Sequence, residues 1–155
     1  MRLSIASHDV EEIFPDSAGH QPTTFGTTTS TADHAMFTIR DFHPDDSDPI
    51  VDLALEAWAP VFSSMAQTVG PEIFRHLFTE DWRRYQEKDV RRALAVYRVS
   101  VAVTSDEVVG YVAVNLPEGE VHGEIYMIAV DPDQQGRGIG KALTHHAVDQ
   151  IRAAG

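Results

Sequence analysis

The sequence predicts a mixed α/β fold, and three observations carry that expectation. Residues Tyr97, Val99, Val101 and Val103 alternate with Arg98, Ser100 and Ala102, the two-residue period of a half-buried strand. Two stretches with a helical apolar period precede it, Ile50 to Val61 and Ile73 to Tyr85. A later β-rich run, Glu124 to Val130, passes through a glycine-rich turn into a third helical period. With 155 residues, 43% of them hydrophobic, the chain is long enough for one domain with a core.

Taken in order, the first 35 residues hold six threonines between Thr23 and Thr31, interleaved with Ser, Gly and Pro and lacking an apolar period. Such a segment buries too little surface to offset the entropy of ordering, so residues 1–35 read as a disordered tail and 36–155 as the domain. Phe37, Ile39 and Phe42 mark a short first strand. Ser47-Asp48-Pro49 then supplies helix-start residues, and the period Ile50, Leu53, Ala54, Ala57, Trp58, Val61 holds until Pro60 disturbs it. Gly70-Pro71-Glu72 opens a second helix, expected to continue as one piece to Ala95. The strand at Tyr97–Val103 turns at Ser105-Asp106-Glu107 into Val108–Asn115, a hairpin in which Gly110 marks a bulge or a close approach. Glu124–Val130 is apolar on both sides from Ile125 onward, as in the middle of a covered sheet. Ile139, Ala142, Leu143, His146, Ala147, Gln150 and Ile151 then repeat at helical spacing up to Gly155.

Composition narrows the function. The net charge of −12, from 24 acidic and 12 basic residues, repels nucleic-acid phosphates and anionic lipid surfaces. There is no cysteine, hence no disulfide, thiolate metal site or Cys nucleophile. Eight histidines are scattered, and adjacent His145 and His146 point to different sides of a helix, so no metal site is expected. No apolar run of about 18 residues and no signal sequence appears, which favours a cytoplasmic protein.

The chemistry concentrates in the turn between the last strand and helix. At a helix start, unpaired N–H groups and the positive end of the helix dipole attract an anion. Gly136, Gly138 and Gly140 clear side chains from the backbone there, and Arg137 and Lys141 add positive charge, so a diphosphate is the natural guest. Spacing separates the candidate motifs. A Walker A loop needs four residues between its glycines and a hydroxyl after the lysine, whereas three separate Gly136 from Gly140 and Ala142 follows Lys141. The dinucleotide fingerprint Gly-x-Gly-x-x-Gly fails as well, because the third glycine comes one position early.

Gln135-Gly136-Arg137-Gly138-Ile139-Gly140 does match Gln/Arg-x-x-Gly-x-Gly/Ala, and with it the chain resembles the GNAT acetyltransferases. Ile128-Ala129-Val130-Asp131-Pro132 looks like that family's strand and turn, and the hairpin before it is similar too. The likeness covers about 37–155, and its specific part is 124–141. It implies a central mixed sheet flanked by helices, with the family's C-terminal strands missing after Gly155. It also implies acetyl-CoA as co-substrate, with the backbone of Ile128 and Val130, beside Ala129, pairing to the pantetheine and Gln135, Gly136, Arg137, Gly138, Ile139, Gly140 and Lys141 around the diphosphate. In such enzymes a small-molecule or peptide amine accepts the acetyl group by direct transfer in a ternary complex.

That transfer needs a neutral amine, so a base must take a proton from an ammonium of pKa near 10. Glu124 is the candidate, since GNAT histone acetyltransferases place a glutamate at the corresponding point of a similar strand. Simple alternation would put Glu124, Tyr126, Ile128 and Val130 on one face. His122 and Tyr126 are weaker candidates, the former as a proton relay and the latter as packing. A non-catalytic acyl-CoA-binding module, or a truncated and inactive remnant of the family, is the rival reading. If the missing strands leave the edge of Glu124–Val130 open, a homodimer through that edge is expected.

Overall fold

The computed structural model describes residues 3–6, 37–78, 81–117 and 122–154, of which 3–6 are described as backbone. Five strands, β1 (Leu3–Ala6), β2 (Thr38–Asp41), β3 (Arg98–Thr104), β4 (Glu107–Asn115) and β5 (His122–Val130), form one sheet in the order β1-β5-β4-β3-β2. Four helices accompany it: α1 (Ser47–Val69), α2 (Pro71–Leu77), α3 (Trp82–Val96) and α4 (Ile139–Ala154). Every pairing in this sheet is antiparallel, where the resemblance implied a mixed sheet. The reason is connectivity: β3, β4 and β5 follow one another through short links, and a parallel neighbour needs a long crossover.

Three expectations change. Leu3–Ala6, inside the expected tail, is a strand that pairs with His122–Ile125 at the edge of β5; the rest of 1–35 lies outside the described residues. α1 runs through Pro60 to Val69, because the loss of a single backbone hydrogen bond is outweighed by burial of Ile50, Val51, Leu53, Ala54 and Phe62 along the same helix. The stretch expected as one helix from Pro71 to Ala95 is two, α2 and α3, broken around Phe78 and Asp81; the Asp81 side chain accepts the N–H of Arg83 and so caps a fresh start.

The sheet has a core on each face. On one, Ile50, Leu53 and Ala54 of α1 and Val90 and Ala93 of α3 pack on Val99, Val101, Tyr111, Ala113, Tyr126, Met127 and Ala129. On the other, Ile139, Leu143, Ala147, Val148 and Ile151 of α4 cover Ala102, Val109, Val112, Val114 and Ile125. Gly110 is the close approach expected of it: a Cβ there would meet Leu143 Cδ1 at 3.0 Å and the Ala129 carbonyl at 3.2 Å. The bulge is real too, since the register passes from Ala102↔Gly110 to Val103↔Val108 and leaves Val109 as the extra residue. Arg40 of β2 clamps Asp46 before α1 through two hydrogen bonds, 2.7 and 2.9 Å, and the same carboxylate accepts the His43 N–H at 2.8 Å. The Arg40 guanidinium holds the Asp46 carboxyl below its usual range.

Candidate active site

A second bulge shapes the strand that carries the site. Ala113 pairs with Met127 but Val114 pairs with Ile125, so Tyr126 is an extra residue facing no partner on β4. The bulge breaks the expected alternation. Tyr126, Met127 and Ala129 face α1 and α3, whereas Ile128 and Val130 pack on the α4 side, so the four residues Glu124, Tyr126, Ile128 and Val130 do not share a face. Glu124 lies opposite its neighbours Gly123 and Ile125, which meet α4, and therefore shares the face of Tyr126.

Backbone parity follows from one hydrogen bond. The Asp131 N–H donates to the Val109 carbonyl at 3.0 Å, and Gly110 stands opposite Val130. In an antiparallel ladder hydrogen-bonded pairs alternate, so Asp131, Ala129 and Met127 direct their backbone groups at β4. Ile128 and Val130 direct theirs at the outer edge. β1 covers that edge only as far as Ile125, and no strand among the described residues lies beyond.

Beside this open half lies a cavity of about 560 Å³. Ala57, Trp58 and Val61 of α1 form one wall, Ile128, Ala129 and Val130 another, and Gln134, Gln135, Gly136, Gly138, Ile139, Gly140, Lys141 and Thr144 close its end. The turn is built for this shape: Gly136 and Gly138 have φ of +80° and +79°, which side chains rarely adopt, and a Cβ on either would meet nothing within 4 Å. The first helical bond of α4 runs from the Ala142 N–H to the Gly138 carbonyl, so the N–H groups of Ile139, Gly140 and Lys141 have no intrahelical acceptor.

Of the residues singled out from the sequence, Ile128, Ala129, Val130, Gln135, Gly136, Gly138, Ile139, Gly140 and Lys141 line one cavity. Arg137 is exposed and outside the lining. Glu124 also stands outside it, half-buried, opposite Asn115 on β4 and Ser4 on β1, about 10 Å along the strand from Ile128, three steps of β4 with the bulge between. The α1 wall escaped the sequence reading, since nothing in a helical period tells which apolar residue leaves the core for a cavity.

Another feature also escaped it. The Tyr126 hydroxyl donates to the Asp89 carboxylate at 2.9 Å and accepts from Nη2 of Arg92, which itself bonds Asp89 at 3.0 Å. Arg92 lies over the Tyr126 and Tyr97 rings, at 5.3 and 5.8 Å. The hydrogen bond to Asp89, then that to Tyr97, hold its guanidinium even more firmly charged than usual.

Known proteins share this fold. The fold matches a GNAT family acetyltransferase from Brucella melitensis, solved in complex with acetyl-CoA, with a TM-score of 0.52 and 25% identity over 79% of this chain and 72% of that one. A Corynebacterium glutamicum structure described as histone acetyltransferase HPA2 and related acetyltransferase shares the fold, with a TM-score of 0.56 and 20% identity over 74% and 71% of the two chains. Mycothiol acetyltransferase of Beutenbergia cavernae is 61% identical over 33 residues, 21% of this chain and 11% of that protein. That of Nocardiopsis dassonvillei is 48% identical over 40 residues, 26% and 12% of the two. The chain thus spans about a tenth of the length of these curated relatives. The profile of the Acetyltransferase (GNAT) family matches residues 63–155, more than half of the sequence and the part that holds the bulged strand and glycine turn, so the chain belongs to that family.

Proposed function

We propose that the chain is an N-acetyltransferase domain, built on residues 36–155 with β1 added at the edge of its sheet, that takes acetyl-CoA along the open half of β5 and passes its acetyl group to an amine. One observation carries this reading: a single cavity joins a strip of outward-facing strand amides to a glycine turn at a helix start. The first suits an extended arm that bears amides, the second a diphosphate. Open space above Gly136 and Gly138 leaves room for phosphate oxygens, and Lys141 lines the same end. Ile128 and Val130 would hold the arm through backbone groups; Gln135 to Lys141 would hold the diphosphate, Arg137 adding charge from outside the cavity.

Bound there, acetyl-CoA supplies an acyl group activated as a thioester. Glu124 is the proposed base, taking a proton from the acceptor ammonium directly or through water. As its family membership suggests, transfer runs directly to the amine in a ternary complex. The acceptor is a small-molecule or peptide amine, and the chain's net charge of −12 favours one that arrives as a cation. No described helix is long and apolar enough to cross a membrane, and we place the protein in the cytoplasm. Calorimetric titration with acetyl-CoA, followed by an amine screen read out as free CoA, tests the proposal. Binding with amine-dependent CoA release is expected; binding without release under any amine leaves only an acyl-CoA-binding module, and no binding at millimolar acetyl-CoA removes the reading.

A further inference from the structure

We infer that Asp89 and Arg92, acting through the Tyr126 hydroxyl, are positioning residues that fix which amides of β5 face the acetyl-CoA arm. The inference rests on the reading that the arm lies on this edge. An Asp–Arg pair at i, i+3 on a helix is ordinarily worth little, because water competes for both charges. Here the pair converges on a phenol that is only 5% exposed, and that phenol belongs to the bulge residue itself. Tyr97 packs against the same ring, with centroids 4.6 Å apart, so α3 and the residue that links it to β3 both hold Tyr126.

The bulge decides the site. Without the extra residue the register Val114↔Ile125 would continue as Ala113↔Tyr126, and each later residue of β5 would move one place. Ile128 and Val130 would then turn their backbone groups toward β4 and their side chains toward α1. Met127 and Ala129 would present amides at the edge in their place. Tyr126 can occupy the extra position only while something retains its side chain on the α1 and α3 face beside Met127. The hydroxyl bonded to Asp89 and Arg92 does that.

The test compares two ligands. 3′-Phosphoadenosine 5′-diphosphate reaches only the glycine turn, whereas acetyl-CoA also needs the strand edge. For Tyr126→Phe and Asp89→Asn, acetyl-CoA affinity should fall about tenfold relative to wild type, the scale of a lost charge-assisted hydrogen bond. Affinity for the nucleotide should stay within about twofold. A partly unfolded variant lowers both affinities together, so their ratio separates positioning from loss of structure. Asp89→Glu, which keeps a carboxylate on the helix, should recover part of the ratio. An unchanged ratio in both variants, with tight acetyl-CoA binding by wild type, overturns the inference alone. A wild-type protein that binds neither ligand overturns the site assignment beneath it.

Discussion

Gly123 of β5 lies against Ile151 in the last turns of α4: a Cβ on Gly123 would stand 2.5 Å from Cγ1 and 2.9 Å from Cγ2 of that fully buried, β-branched side chain. Neither atom is the loose end of a flexible group. Gly123→Ala should therefore destabilise the domain by about 1–3 kcal/mol, the usual range for overpacking. Urea denaturation followed by circular dichroism measures it, and a stability equal to wild type would mean that α4 shifts outward freely.

Acetyl-CoA at 100 times its dissociation constant should stabilise the folded chain by about 2.7 kcal/mol through mass action, visible as a higher melting temperature. Gly138→Glu should abolish that rise, since it sets a charged side chain over the loop. Gly138→Asn is the control: asparagine tolerates positive φ better than other side chains and carries no charge, so part of the response should survive. A full thermal response in Gly138→Glu would exclude the turn as the diphosphate site.

For Glu124→Gln, turnover at neutral pH should fall by about 10²-fold with acetyl-CoA affinity nearly unchanged. The deficit should narrow as pH rises toward the amine pKa, where free amine is already abundant. A deficit of constant size across the pH range assigns Glu124 to acceptor placement instead of proton transfer.

His146 of α4 supplies a pH dependence. Its Nε2 lies 3.1 Å from Ser100 Oγ and 2.9 Å from Gln150 Nε2, and burial lowers its pKa below the ordinary 6.5, with Asp149 and Asp41 opposing and Arg98 assisting. With the folded value depressed, the unfolded chain binds the proton more readily. The contribution to stability is complete above pH about 6.5 and is lost as pH falls through the lower folded value. Chemical denaturation at pH 7.5 and 5.0 should show a loss that His146→Gln reduces.

Self-association is open to the same treatment. A homodimer formed through the uncovered half of β5, Tyr126–Val130, would use the amides assigned to acetyl-CoA. Light scattering should then show dimers that dissociate as acetyl-CoA is added; dimers indifferent to it would have to form elsewhere.

From β2 onward the order of elements was legible except for the break between α2 and α3, because each other change of period is local: Val99 and Val101 alternate, Leu143 and Ala147 recur at helical spacing. The glycine turn was legible because Gly136 and Gly138 answer a backbone demand with residue type. Pro60 misled, since its local penalty is smaller than the packing of the helix around it. The bulge at Tyr126 could not be read at all: an extra residue in a strand exists only relative to its partner, and neither Tyr126 nor Ala113 marks it alone. For the same reason the link from Asp89 to Tyr126 was invisible across 37 positions.

At the open edge of β5, what would meet the proposed acetyl-CoA arm is peptide backbone, and every amino acid except proline brings the same N–H and C=O. The identity of Ile128 or Val130 is thus nearly silent at that edge, while the tally of residues between Asp131 and the bulge is not. Mutational scanning of this strand should tolerate many apolar exchanges and reject every single-codon deletion or insertion. The site is written in arithmetic, and its errors are errors of counting.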